Sequence, residues 1–148
     1  MSVPYDLFTE AFLGKVTEYD FIHLDEYDRN NMVDGYMKRA CSQFDKICKY
    51  DLYDRDDLIR RFNMDVPADE IDEILDIVSE GMLVQWMKPY VYKQDNLVLL
   101  LNTKDFTNYS PAELFRQVSS SYASANKRFV GMMREYSYNH GDLTELHL

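Results

Sequence analysis

The sequence is poor in the residues that cross-link and punctuate chains. Its 148 residues include two cysteines, four prolines, five glycines and a single tryptophan. Cys41 and Cys48 stand seven positions apart in a stretch that reads as helix, which places them two turns apart and too far for a bridge within it. They are expected as reduced core thiols of a protein made in the cytoplasm. The glycines are scattered singly, so there is no glycine-rich loop to cradle a phosphate. No apolar run approaches the ~20 residues that cross a bilayer. The opening MSVPYDLFTEAF carries acids where a signal peptide has a basic region, so no secretion signal is read.

Catalytic and metal-binding patterns are missing as well. His23, His140 and His147 are far apart, and none stands four residues from another ligand in a zinc spacing. There is no G-x-S-x-G, and neither cysteine has a histidine near it in sequence. The cluster Asp51, Asp54, Asp56 and Asp57 fails as a calcium loop. Counted from Asp54, it puts Leu58, Ile59 and Asp65 where an oxygen ligand, a glycine and a glutamate are required. Neither enzymatic activity nor a metal or cofactor is expected.

Positive charge is the last scarcity: 16 Lys and Arg against 26 Asp and Glu give a formal charge of −10. That balance argues against gripping phosphate backbones or anionic membranes. It leaves three readings open: a plain acidic surface, a surface that repels DNA as it passes, or one that docks on a basic partner. The basic minority includes Arg55, Arg60, Arg61, Lys127, Arg128 and Arg134. Arg60 and Arg61 beside Phe62 pair either within the subunit or with the acidic face of a neighbouring copy, as a head-to-tail ring requires.

What the chain has is apolar and aromatic surface: 46% hydrophobic and 14% aromatic residues suffice for one domain with a real core. The organising stretch is 67–101. Ile71, Ile74, Leu75, Val78 and Met82 recur at helical spacing, while Asp69, Glu70, Asp72, Glu73, Asp76 and Glu80 fill most of the other surface. Acids in the first turns complement the positive end of the helix dipole. After Gly81 the run Met82, Leu83, Val84, Trp86 and Met87 loses its polar face, so cover on more than one side is expected. Pro89 is expected to bend or end this helix, drawn from Ala68 to about Lys88.

Residues 5–16 fit a short helix with Leu7, Phe8, Ala11 and Phe12 on one face. A second helix is expected from an Asp25 N-cap, carrying Met32, Val33, Tyr36, Met37, Ala40, Phe44 and Ile47 on one side. Gly35 inside it suggests a close helix contact. Residues 49–66 mix aspartates, arginines and aromatics without a period, and are read as a protruding loop or hairpin. Ser110, Pro111 and Glu113 form a capping box for a last helix running to about Tyr138, roughly 28 residues or ~42 Å. Its stripe is Leu114, Val118, Tyr122, Ala125, Phe129, Met132 and Tyr136. Ser119, Ser120, Ser121, Ser124 and Asn126 make its middle small and uncharged, suited to packing against another helix or subunit. Gly141 supplies the cap. The apolar Leu143, Leu146 and Leu148 then either fold back on the core or occupy a groove on a partner.

The expected architecture is therefore all-α: a single helical-bundle domain of about four helices over 1–141, with an extended tail over 142–148.

Three stretches, SEGMLVQWMKPYVYKQDNL at 79–97, NTKDFTNYSPAELF at 102–115 and REYSYNHGDLTELH at 134–147, carry a resemblance. They resemble the head–tail connector (adaptor, or head-completion) proteins of long-tailed bacteriophages infecting Gram-positive hosts. The resemblance implies an all-helical structural subunit at the virion neck, assembled as a homo-oligomeric, twelve-fold ring beneath the portal. It implies a portal-docking tail formed by Asp142, Leu143, Thr144, Glu145, Leu146, His147 and Leu148. It also implies an inter-subunit or channel loop containing Asp54, Arg55, Asp57, Arg60, Arg61 and Phe62. The acids Asp69, Glu70, Asp72, Glu73, Asp76 and Glu80 would face the DNA channel, with DNA only as passing cargo and a stopper or tail-completion protein below. Stoppers and tail terminators are mainly β-structured, which favours the adaptor. The alternative from another class is a small acidic DNA mimic that occupies a basic groove of a host or defence protein, prompted by the carboxylate run at 69–80.

Overall fold

The structure, a computed structural model, describes residues 2–16, 29–92 and 111–140. Among these are four helices: α1 (Tyr5–Val16), α2 (Arg29–Phe44), α3 (Ala68–Tyr92) and α4 (Pro111–His140). Three two-residue strands, β1 (Val3–Pro4), β2 (Arg55–Asp56) and β3 (Arg61–Phe62), form an antiparallel sheet in the order β1-β3-β2. Val3 and Arg55 both lie opposite Phe62, from its two sides. The helical expectation holds in the main: the fold is mostly helical, with a small sheet added to it. No hydrophobic period announces strands this short. The hairpin is made by turn chemistry, and β1 completes it only because α1 packs beside it.

Helix α3 is the axis, in contact with α1, α2 and α4. Every residue from Ile77 to Met87 is buried, as the loss of a polar face after Gly81 anticipates. Its N-terminus is held by the Pro67 carbonyl, which accepts from Glu70 N and Ile71 N at 3.0 and 3.1 Å. The expected end near Lys88 is corrected: α3 continues through Pro89 to Tyr92. Proline removes one donor and crowds the preceding turn. The helix survives because Tyr90 and Val91, beyond the proline, pack on the core.

Helix α1 keeps the expected bounds, with Phe8 and Phe12 fully buried; Leu7 is partly exposed, and Tyr5 and Thr9 take the inner face instead. The Phe12 ring meets Trp86 of α3 edge-on at 5.9 Å and Tyr36 of α2 at 6.0 Å. In α2, Val33, Tyr36, Met37, Ala40 and Phe44 are buried as their spacing demands, and Met32 is exposed. The expected Asp25 cap lies outside the described residues. Because α2 ends at Phe44, Cys48 sits in the turn beyond it, and both cysteines are free thiols. Burial pushes the Cys41 thiol up to about 12.

Helix α4 begins at Pro111, as the capping box requires, and ends at His140. Val118, Ala125, Phe129 and Tyr136 are its buried stripe. The side-chain contacts Glu73–His140 and Glu80–Arg128 show that α4 runs antiparallel to α3. The closest helix approach is at Gly81, not Gly35. A Cβ on Gly81 would lie 2.7 Å from the Phe129 ring of α4 and 2.8 Å from Ala40 Cβ of α2, whereas one on Gly35 would meet nothing within 4 Å. One core cluster links all four helices with Leu52, Phe62, Met64 and Val66.

Candidate interaction surface

The irregular segment 49–66 is a hairpin whose root belongs to the core. Leu52 and Phe62 are fully buried, and the Tyr5 and Phe8 rings of α1 pack on Phe62 at 5.1 and 5.2 Å. Phe62 is therefore unavailable as an inter-subunit contact, which corrects its place in the expected loop. Arg61 is held at home too: its guanidinium donates to Ser2 Oγ at 2.8 Å and to the Ser2 carbonyl at 3.1 Å.

Arg60 locks the turn. It has φ 53°, a left-handed conformation unfavourable for a residue that carries a Cβ. Its guanidinium forks onto Asp34 of α2 (Nε–Oδ2 2.8 Å, Nη2–Oδ1 2.9 Å) and reaches Asp6 of α1 at 2.8 Å. These bonds, to Asp34 first, raise its already high pKa. Asp57 is the second stitch, accepting from the Tyr5 hydroxyl at 2.6 Å and pairing with Lys38 at 3.2 Å. The Tyr5 bond and then Lys38 hold its carboxyl below the usual range, while burial and then Asp57 push the Tyr5 phenol up. Arg55 donates to the Leu52 carbonyl at 2.8 Å and lies over the Tyr53 ring; Asp54 accepts from the Asn63 side chain at 3.0 Å. Every charged residue expected in this loop thus has a partner in its own subunit.

The residues that project lie between the charged ones. Leu58 is 95% exposed and Ile59 61% exposed. Turns usually take Gly, Asn, Asp or Ser; here two aliphatic side chains fill the tip, set by Asp56 Oδ1 accepting from Leu58 N at 2.9 Å. The available signal was an apolar pair, DDLIRR, with no periodic partner on either side.

The carboxylates of α3 do not form one open face. Asp69 and Asp72 are exposed, and Glu73 pairs with His140 at 3.1 Å. Glu70 bonds the Tyr50 hydroxyl and Lys49; the tyrosine bond, foremost, holds its carboxyl low and pushes Tyr50 up to about 12. Glu80 departs from the expected face altogether. Its side chain is 5% exposed and bridges Arg128 Nε at 2.5 Å and Lys15 Nζ at 2.9 Å, with Asp76 taking the same lysine at 2.6 Å. Burial works against the Lys15 charge, but the bonds to Asp76 and Glu80 outweigh it and raise its pKa. This network pins α1, α3 and α4 together, a structural role that spacing alone could not assign.

No protein-family model, curated protein or solved structure matches this chain.

On the outer side of α4, Ser120, Ser124 and Asn126 are exposed while Ser119 and Ser121 are half-buried, so part of the small, uncharged middle faces away from the other described residues. A shallow depression of about 590 Å³ runs along Glu113, Arg116, Gln117, Ser120 and Ser121. The expected docking tail, Asp142 to Leu148, lies outside the described residues. Among the described residues no helix is long and apolar enough to cross a membrane.

Proposed function

We propose that this chain is a non-enzymatic, ring-forming adaptor of a phage neck, joining a portal above to a stopper or tail-completion protein below. The observation that carries the reading is the hairpin tip. Leu58 and Ile59 project on a turn whose neighbours Asp57 and Arg60 are tied to α1 and α2, so the pair is presented on a fixed mount. A turn that forgoes ordinary turn residues and places Arg60 in a left-handed conformation departs from local preference, and such departures concentrate at functional sites.

Assembly is the mechanism. Charge keeps the free subunit soluble, the tip enters an apolar recess on the adjoining ring, and residues 142–148 dock on the portal. Twelve copies, the number implied by the family likeness, enclose a channel through which DNA passes as cargo. The net negative charge of the ring repels the phosphates; Glu80, committed to Arg128 and Lys15, takes no part.

The test is size-exclusion chromatography with light scattering, alone and with portal, on the parent, L58D/I59D and a 142–148 deletion. The parent should associate with portal, the tail deletion should lose portal, and L58D/I59D should keep its fold and lose the adjoining ring. Tailed particles assembled normally without 142–148, together with a chain missing from purified virions, would sink the proposal. Competition with duplex DNA for a nuclease or repressor would replace it with the DNA-mimic reading.

A further inference from the structure

The outer face of α4 carries three cations in a chain rich in acids. At 100° per residue, Glu113, Arg116, Ser120, Ala123, Lys127, Gly131, Arg134 and Tyr138 fall in one stripe about half a turn from the buried Val118, Ala125, Phe129 and Tyr136. All eight are exposed, and among the described residues no ion pair engages Arg116, Lys127 or Arg134. Three cations thus line a smooth ridge in a chain of net charge −10. The residues between them are small, so a partner can approach closely.

The complementary surface is on the same chain. Asp69, Asp72 and Asp76 share the exposed side of the first turns of α3, and Asp69 and Asp72 have no cationic partner among the described residues. Asp69 and Asp76 are seven residues apart, a rise of about 10.5 Å, as are Lys127 and Arg134. Side by side, the two helices match in period and sign.

We propose that the α4 stripe is a self-association surface whose occupant is the acidic first half of α3 from a second copy. The structure thereby moves the basic half of a head-to-tail contact from Arg60 and Arg61, both bonded internally, to Arg116, Lys127 and Arg134. Two different patches on one chain make a heterologous interface, which propagates until a ring closes. The acidic half of α3, 13 residues from Ala68 to Glu80 and about 20 Å long, against a face about 10 Å wide offers roughly 200 Å² per partner, about a quarter of a standard interface. The contact is therefore weak singly, salt-sensitive, and dependent on ring closure. It rests on the assembly reading above.

The experiment is sedimentation velocity of the full chain over a range of concentrations. Weight-average mass should rise with concentration at low ionic strength and fall back to monomer at roughly 0.5 M salt, where screening shortens to a few ångström. K127E/R134E and D69K/D72K should each remain monomeric, and an equimolar mixture of the two should associate again. Self-association indifferent to both charge reversals, or a mixture that stays monomeric, overturns the proposal. So does duplex DNA binding by the parent that K127E/R134E abolishes while self-association persists. A ring that forms with the expected charge dependence but ignores portal leaves this interface standing and removes the adaptor reading.

Discussion

Gly81 is where three helices meet, and it sets up an opposed pair of substitutions. An alanine there would put its Cβ 2.7 Å from two Phe129 ring atoms and 2.8 Å from Ala40 Cβ, against the 3.4 Å at which ordinary contact starts. The deficit of about 0.7 Å has no cheap escape. Phe129 is 1% exposed, so its ring cannot swing into solvent, and Ala40 is fixed to the backbone of α2. Overpacking of this kind costs about 1–3 kcal/mol. The same change removes a helical glycine, a gain of about 1 kcal/mol. Gly81→Ala should therefore lose about 1 kcal/mol, up to about 2. Gly35→Ala, where the new methyl meets nothing within 4 Å, should keep the propensity gain of ~0.5–1 kcal/mol. Chemical denaturation with an unchanged slope measures both, and in thermal melts, near 4 °C per kcal/mol, the two midpoints should separate by several degrees. In a double-mutant cycle, Phe129→Leu should make Gly81→Ala less costly, with a coupling above ~0.5 kcal/mol. If Gly81→Ala stabilises as much as Gly35→Ala, the close three-helix approach is wrong.

Other outcomes follow from the buried and locked charges. Replacing both Lys15 and Arg128 by Met strands the Glu80 carboxylate and should cost about 3 kcal/mol, much of it recovered when Glu80→Gln is added; lack of recovery in urea titrations argues against a buried Glu80. Arg60→Ala should cost about 2 kcal/mol by leaving Asp34 unpaired, and Arg60→Gly about 1 kcal/mol less, because glycine tolerates the left-handed turn; equal losses would deny the backbone strain. Stability should fall on both sides of neutral pH. Tyr36 by burial and Tyr50 by its bond to Glu70 are pushed up to about 12, so the folded state keeps protons that the unfolded chain releases near ~10, and this support is lost as pH rises through that window. Asp57 and Glu70 are held low by Tyr5 and Tyr50, so their support is present above about pH 4–4.5 and lost as pH falls below it. Tyr50→Phe should flatten both limbs in thermal melts across pH; limbs identical to the parent's would refute the Tyr50–Glu70 assignment.

Much of the scaffold was readable without coordinates. The bounds of α1, the start of α3 at Ala68 and the Pro111 start of α4 follow from local signals: apolar spacing, acids in first turns and a capping box. The stripe Val118, Ala125, Phe129 and Tyr136 is buried as its period demands. Local signals failed where a distant contact decided. Pro89 is a stop signal, overridden by the core packing of Tyr90 and Val91. Gly35 and Gly81 are alike as letters, and only the neighbours of Gly81 make a methyl there intolerable.

The candidate surfaces divide along the same line. Composition and periodicity determined an acidic, helix-rich chain around a central helix, because net charge and repeating apolar positions are properties of the string itself. Tertiary structure decided which charges are free to act. It buried Glu80 and Phe62, bonded Arg60 and Arg61 within the subunit, and left Leu58, Ile59, Arg116, Lys127 and Arg134 facing out. The reason is that a charged or apolar side chain has the same identity whether paired, buried or bare, and its availability is set by groups up to 50 or more positions away in sequence, such as Asp6 beside Arg60.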